Sequence, residues 1–143
     1  MGDKWGRRFF KAGAVVLVLF GIVHSLSLVE KIVPANDTER QLLDLMTSYK
    51  FNLAGSMRSM DDLLRGFSIC FIVGLVGLGG LDLTLAGERT ELVRRLALIN
   101  VLWLGAMTAV SLRYFFIAPT SFFVAGLLFF LAAWVRLRAS CAS

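Results

Sequence analysis

Residues 56–88 read SMRSMDDLLRGFSICFIVGLVGLGGLDLTLAGE, and this stretch decides the fold. It opens with four charges, Arg58, Asp61, Asp62 and Arg65, and passes directly into an apolar run long enough to cross a bilayer. Charged groups at the mouth of such a helix are costly in lipid, so they sit at the interface or face protein and water. Ser59-Met60-Asp61-Asp62 fits a capping box, with Ser59 as N-cap and Asp62 at the third helical position. Within the run, Gly74, Gly77 and Gly80 recur every three residues, with Gly79 alongside. Small residues at that spacing let a second backbone approach closely, so they are expected to form a helix-packing face or a homo-oligomer contact.

The rest of the chain follows the same pattern. Of the 143 residues, 57% are apolar and 17% charged, and mean hydropathy is +0.75, which excludes an ordinary soluble globule. Three further apolar runs lie on either side of the quoted stretch. The expected fold class is all-α, a polytopic membrane protein built as one domain over 1–143. Its four transmembrane helices are placed at about 9–29, 62–86, 93–115 and 119–137, with an outer loop at 30–58. The first run is longer than the ~7–15 apolar residues of a secretory signal, and Glu30 and Lys31 follow it. It is therefore read as a retained helix.

The outer loop is the only sizeable polar region. Asp37 or Thr38 is expected to cap a short amphipathic helix carrying Leu42, Leu43, Leu45, Met46 and Tyr49 on one side. Residues 88–96 read as a short charged connection, with Asp82 able to pair with Arg94 or Arg95 and Asn100 as interhelical glue. Residues 117–121, with Pro119, read as a tight turn, and Tyr114, Phe115, Phe116, Phe122 and Phe123 as an interfacial, lipid-facing belt. Cys70 is expected to be a small packing residue, and Cys141 a tail cysteine open to acylation.

The net charge of +5 is not gathered into a nucleic-acid patch; the basic residues lie at the ends of the apolar runs. Four spans put both termini on one side. That side holds nine basic residues (Lys4, Arg7, Arg8, Lys11, Arg89, Arg94, Arg95, Arg136, Arg138) against six on the other. The positive-inside rule then places both termini in the cytoplasm, with a bacterial inner membrane as the expected location.

With the spans so oriented, polar groups from all four helices fall at one outer level. His24 is late in the first helix, Arg58, Asp61, Asp62 and Arg65 head the second, and Arg113 and Tyr114 close the third. Convergence of this kind marks a site better than any single residue. Asp61, Asp62 and His24 are the candidates for acid–base chemistry; Arg58, Arg65, Arg113 and Tyr114 are candidates for ligand binding. The plainer reading of the acid–arginine cluster is an ion-pair ladder, since Arg58 and Asp62, and Asp61 and Arg65, are four apart. His24, the only histidine, suits a proton carrier, a haem or metal ligand, a donor to a quinone carbonyl, or a structural hydrogen bond. One histidine with two aspartates is a weak metal set. There is no nucleotide loop, no CxxC and no second histidine, so no cofactor is specified.

His24 followed by MRSMDDLLRGF at the head of the second helix resembles small four-helix bacterial membrane proteins, the DoxX-like and related families, over roughly residues 12–85. The resemblance implies quinone-coupled oxidation or an accessory-subunit role. Two functions are therefore expected. One is an accessory or ligand-binding membrane protein that takes a lipid-like or quinone-like ligand or a partner subunit in an outer-leaflet pocket. The other is a small membrane enzyme, an isomerase, cyclase or oxidoreductase, acting on an isoprenoid or quinone.

Overall fold

The computed structural model describes the backbone of residues 2–141 and the side chains of residues 3–139. Five α-helices and one hairpin are present among them: α1 (Gly2–Ser25), α2 (Asp37–Ser48), β1 (Lys50–Leu53), β2 (Ser56–Ser59), α3 (Met60–Leu85), α4 (Thr90–Tyr114) and α5 (Ile117–Cys141). Four helical segments of 26, 26, 25 and 23 residues are long and apolar enough to cross a membrane. At 1.5 Å per residue the shortest is about 35 Å long, against about 30 Å of bilayer hydrocarbon.

α1 and α5 form the central pair; α3 packs chiefly on α1, and α4 chiefly on α5. Glycine makes these contacts close. On α1, Gly6 lies under Leu137 and Gly13 under Phe130, so α5 runs antiparallel to α1. Gly21 lies under Val76, and Gly79 of α3 rests on the Ala14 carbonyl and Val18. The core between the helices is Phe10, Leu17, Phe20, Leu75, Val93, Leu104, Phe123, Phe130 and Leu137.

Gly79 is therefore the glycine of α3 that packs. Gly74, Gly77 and Gly80 instead have open space where a side chain would stand, which corrects the expected packing face within the chain. The reason is angular: at 100° per residue Gly79 shares the face of Leu75 and Asp82, while Gly77 points the opposite way. Cys70 is also exposed, on that outward side, and is not a packing residue. The Cys141 side chain lies outside the described residues.

The outward faces stay apolar. Leu19, Phe67, Val73, Ile99, Leu102, Leu112 and Leu128 are all exposed, far more apolar surface than a soluble monomer presents to water. α3 and α4 approach each other less closely along their length, and are tied where Asn100 Nδ2 donates to Asp82 Oδ2 at 2.9 Å. Both groups are buried. Asp82 thus bonds Asn100, whereas Arg94 and Arg95 both reach Glu91, at 2.9 and 2.8 Å. That pairing follows from Glu91, Arg94 and Arg95 lying inside α4, three and four residues apart, rather than in a connection.

Several boundaries differ from the sequence reading, and α1 begins at Gly2 rather than near residue 9. The chain breaks at Phe115 and Phe116, and α5 already includes Pro119, whose missing N–H falls in the first turn where no helical partner exists. The cap of α2 is Asn36, whose Oδ1 accepts from the Glu39 N–H at 2.9 Å, rather than Asp37 or Thr38.

The hairpin is a further departure from the sequence reading. Lys50–Leu53 pairs antiparallel with Ser56–Ser59 around the two-residue turn Ala54-Gly55, at φ +49° and +88°. Both turn residues take the left-handed region that two-residue hairpins need. Asn52 Oδ1 steadies the turn by accepting the Gly55 N–H at 2.8 Å. The hairpin feeds straight into α3, and α2 packs on α3 and β2 with Leu43 and Met46 half-buried. Leu42 and Leu45 are turned outward.

Candidate functional site

At the hairpin end, α1, α3 and α5 contribute a cluster of aromatic rings. Phe20 stacks on Phe122 (centroids 4.8 Å apart, 6° between planes) and meets Phe123 and Phe71 edge-on at 5.0 and 5.5 Å. Such pairs contribute about 0.5–1.5 kcal/mol beyond their area. Phe123 is buried and so is not lipid-facing belt, while Phe122 packs one face against the core and stays half-open to the surface. Tyr114, Phe115 and Phe116 are exposed.

His24 stands at the rim of this cluster, one turn beyond Phe20 on α1. Its ring meets Phe71 edge-on at 5.1 Å and Phe20 at 6.3 Å. It is half-buried, and its imidazole makes no hydrogen bond among the described residues; the bond at this position goes to the His24 carbonyl from the Ser27 hydroxyl.

The charges heading α3 divide into separate tasks. Ser59 Oγ accepts from the Asp62 N–H at 3.1 Å while Asp62 Oδ2 accepts from the Ser59 N–H at 2.9 Å, so the expected capping box is present. Asp62 is thereby occupied with the helix start. Asp61 instead pairs with Arg65, Nε to Oδ2, at 2.7 Å. Arg58 does not join a ladder, because it lies in β2 opposite Phe51 and the helical four-residue spacing does not apply. Its Nη1 donates to the Met57 carbonyl at 2.9 Å. Arg113 lies over the Tyr114 ring at 5.5 Å, both exposed. No hydrogen bond, ion pair or ring contact among the described residues links that pair to His24, Asp61 or Arg65. Below them, the buried Ser111 hydroxyl shares a 2.7 Å hydrogen bond with Thr120, joining α4 to α5.

The expected constellation thus falls into separate groups, with Arg113 and Tyr114 apart from the other two. One is His24 with Phe20, Phe71, Phe122 and Phe123; the other is the Asp61–Arg65 pair at the start of α3. Among the described residues no group of three or more His, Cys, Asp or Glu is placed to hold a metal.

A second polar centre lies at the opposite end, and sequence reasoning missed it. Arg7 Nη1 donates to the carbonyls of Ala86 at 2.9 Å and Glu88 at 2.7 Å, and Nη2 to Thr90 Oγ1 at 3.0 Å. Its Nε reaches Asp3 Oδ1 at 3.2 Å, and Thr90 also donates to Asp3 at 3.3 Å. One guanidinium therefore ties the start of α1 to the end of α3 and the start of α4. The only local signal for it was Asp3 four residues before Arg7; its long-range partners are mostly backbone carbonyls, which no side-chain pattern marks.

In comparisons with protein-family models, characterised proteins and solved structures, nothing matches this chain.

Proposed function

We propose that this is a small multi-pass membrane protein of accessory or ligand-binding type, with a lipophilic, hydrogen-bond-accepting ligand or a partner subunit at the hairpin end. The carrying observation is His24: a half-buried imidazole against Phe71, with no hydrogen-bond partner among the described residues. An imidazole N–H at the rim of an aromatic cluster suits a quinone-like carbonyl or a lipid ester, with the half-buried Phe71 ring beside it. The likeness to DoxX-like families adds quinones to the ligands worth testing. Binding is favoured over acid–base catalysis because Asp62 is held by Ser59 and Asp61 by Arg65. Both termini are assigned to the cytoplasm from the distribution of basic residues, and the hairpin and α2 to the outer face of a bacterial inner membrane. The outward Gly74, Gly77 and Gly80 leave a small-residue surface on which a second copy or a partner helix would pack.

The test is mass spectrometry, with a visible spectrum, of whatever the protein retains when purified gently from its own membrane. A stoichiometric carbonyl-bearing lipid or quinone is expected. It should fall at least about tenfold in His24→Ala, the loss of roughly one charge-free hydrogen bond with its packing. His24→Ala and wild type carrying identical bulk lipid and nothing else would sink the ligand reading and leave the partner subunit.

A further inference from the structure

Two recesses open on the surface of the central α1–α5 pair, and they belong to one groove. The first, of about 240 Å³, is lined by Trp5, Phe9 and Arg136. The second, of about 290 Å³, is lined by Val16, Leu19, Ser121, Phe122 and Ala125. Trp5, Phe9, Ala12, Val16 and Leu19 succeed one another at intervals of four and three, so they form one stripe of α1. Arg136, Ala132, Phe129, Ala125 and Phe122 do the same on the antiparallel α5. Between the recesses the stripe carries Ala12 on α1 and Ala132 then Phe129 on α5, so the seam is open at the two alanines and narrows at Phe129.

Resting on the membrane reading above, we propose that this groove seats one anionic phospholipid lengthwise. Its phosphodiester lies at Arg136, and one acyl chain runs over Ala12 and Ala132 into the second recess. The dimensions agree: Phe9 to Val16 is seven residues, about 10 Å of helix, within the ~15 Å depth of one leaflet's hydrocarbon. Each recess falls below the ~300–1,000 Å³ of a pocket that engulfs a whole small molecule, as expected where the ligand stays mostly in the bilayer. The charge agrees as well. Arg8 lies over the Trp5 ring at 4.9 Å, and Lys4 and Lys11 are exposed on the same end of α1. Of the acids at that end, Asp3 is engaged with Arg7 and Glu91 with Arg94 and Arg95; Glu88, in the α3–α4 connection, makes no ion pair among the described residues and leaves the cations in surplus. An interfacial indole beside a guanidinium, at the end with the surplus of cations, selects a negative headgroup over a zwitterionic one.

The experiment uses the full chain with Trp103→Phe and Trp134→Phe, leaving Trp5 as the only reporter. Trp134 Nε1 is buried without a hydrogen-bond partner among the described residues, so its replacement removes no hydrogen bond. The protein is reconstituted in vesicles doped with brominated phosphatidylglycerol or brominated phosphatidylcholine, and quenching of Trp5 is titrated. The anionic lipid is expected to quench with about fivefold higher apparent affinity, and Arg136→Gln to reduce the ratio to about one. Ala132→Phe, which fills the seam, should do the same, while Arg95→Gln should not. Equal quenching by both lipids in the parent protein overturns the site and leaves the membrane reading standing. A ratio that survives Arg136→Gln also overturns it. No quenching by either lipid overturns both. If the tryptophan variants fail to fold, native mass spectrometry of the protein with all three tryptophans decides between the same outcomes: retention of the anionic lipid that falls with Arg136→Gln supports the site, and unchanged retention overturns it.

Discussion

Arg7→Ala is expected to lower stability by about 2–4 kcal/mol. The guanidinium makes three long-range hydrogen bonds, to Ala86, Glu88 and Thr90, and holds Asp3. Two of its acceptors are carbonyls at and just past the end of α3, where the last turn of any helix has no donor of its own. A cation there also opposes the negative end of the helix dipole. Removing it strands those carbonyls and Asp3 together. Lysine keeps the charge without the planar fork, so Arg7→Lys should recover less than half of the loss. Denaturant titration in detergent micelles, followed by tryptophan fluorescence, measures both. Loss of less than about 0.5 kcal/mol in Arg7→Ala would show that the α3–α4 connection holds itself.

The second large effect separates two glycines on the same helix. Gly79→Ala places a methyl 2.7 Å from the Ala14 carbonyl and 2.8 Å from Val18 Cγ2. The first neighbour is backbone and cannot turn aside, so α1 and α3 must part, at about 1–3 kcal/mol. Gly77→Ala meets nothing within 4 Å. There the replacement should gain up to about 1 kcal/mol, because alanine loses less backbone entropy on entering a helix. Since both variants share that propensity gain, their difference in unfolding midpoint isolates the packing at Gly79. Equal midpoints would mean that α1 and α3 do not meet closely at Gly79.

What the sequence made legible follows from which physics is local. Runs of apolar residues about 20 long require helices whatever surrounds them, so four span-length helices were plain. The capping box of Ser59 and Asp62 was legible for the same reason, as both partners lie within three residues. The direction of each helix face was not. When every face is apolar, periodicity does not distinguish the side of Gly79 from that of Gly77, and Phe122 and Phe123 look the same as Phe115 and Phe116. The hairpin escaped because Ala54-Gly55 is a weak turn signal and the polar–apolar alternation of KFNL is only four residues long. That one omission misassigned Arg58, since a ladder of charges four apart presumes a helix already begun. His24 stood out in the sequence as the one histidine in an apolar helix, but the aromatic cluster it borders draws on three helices and only the packed chain brings them together.

Four crossings of the membrane, with the hairpin opposite the termini, underlie every assignment above, and cysteine accessibility tests that topology most directly. In a background of Cys70→Ser and Cys141→Ser, a single cysteine is placed at Lys31, in the outer loop, or at Arg89, between α3 and α4. Intact bacterial cells are then treated with a membrane-impermeant maleimide. Lys31→Cys is expected to label in intact cells and Arg89→Cys only after permeabilisation. Labelling of both positions in intact cells, or of both only after permeabilisation, would put the two ends of the bundle on one side and contradict the four-span arrangement.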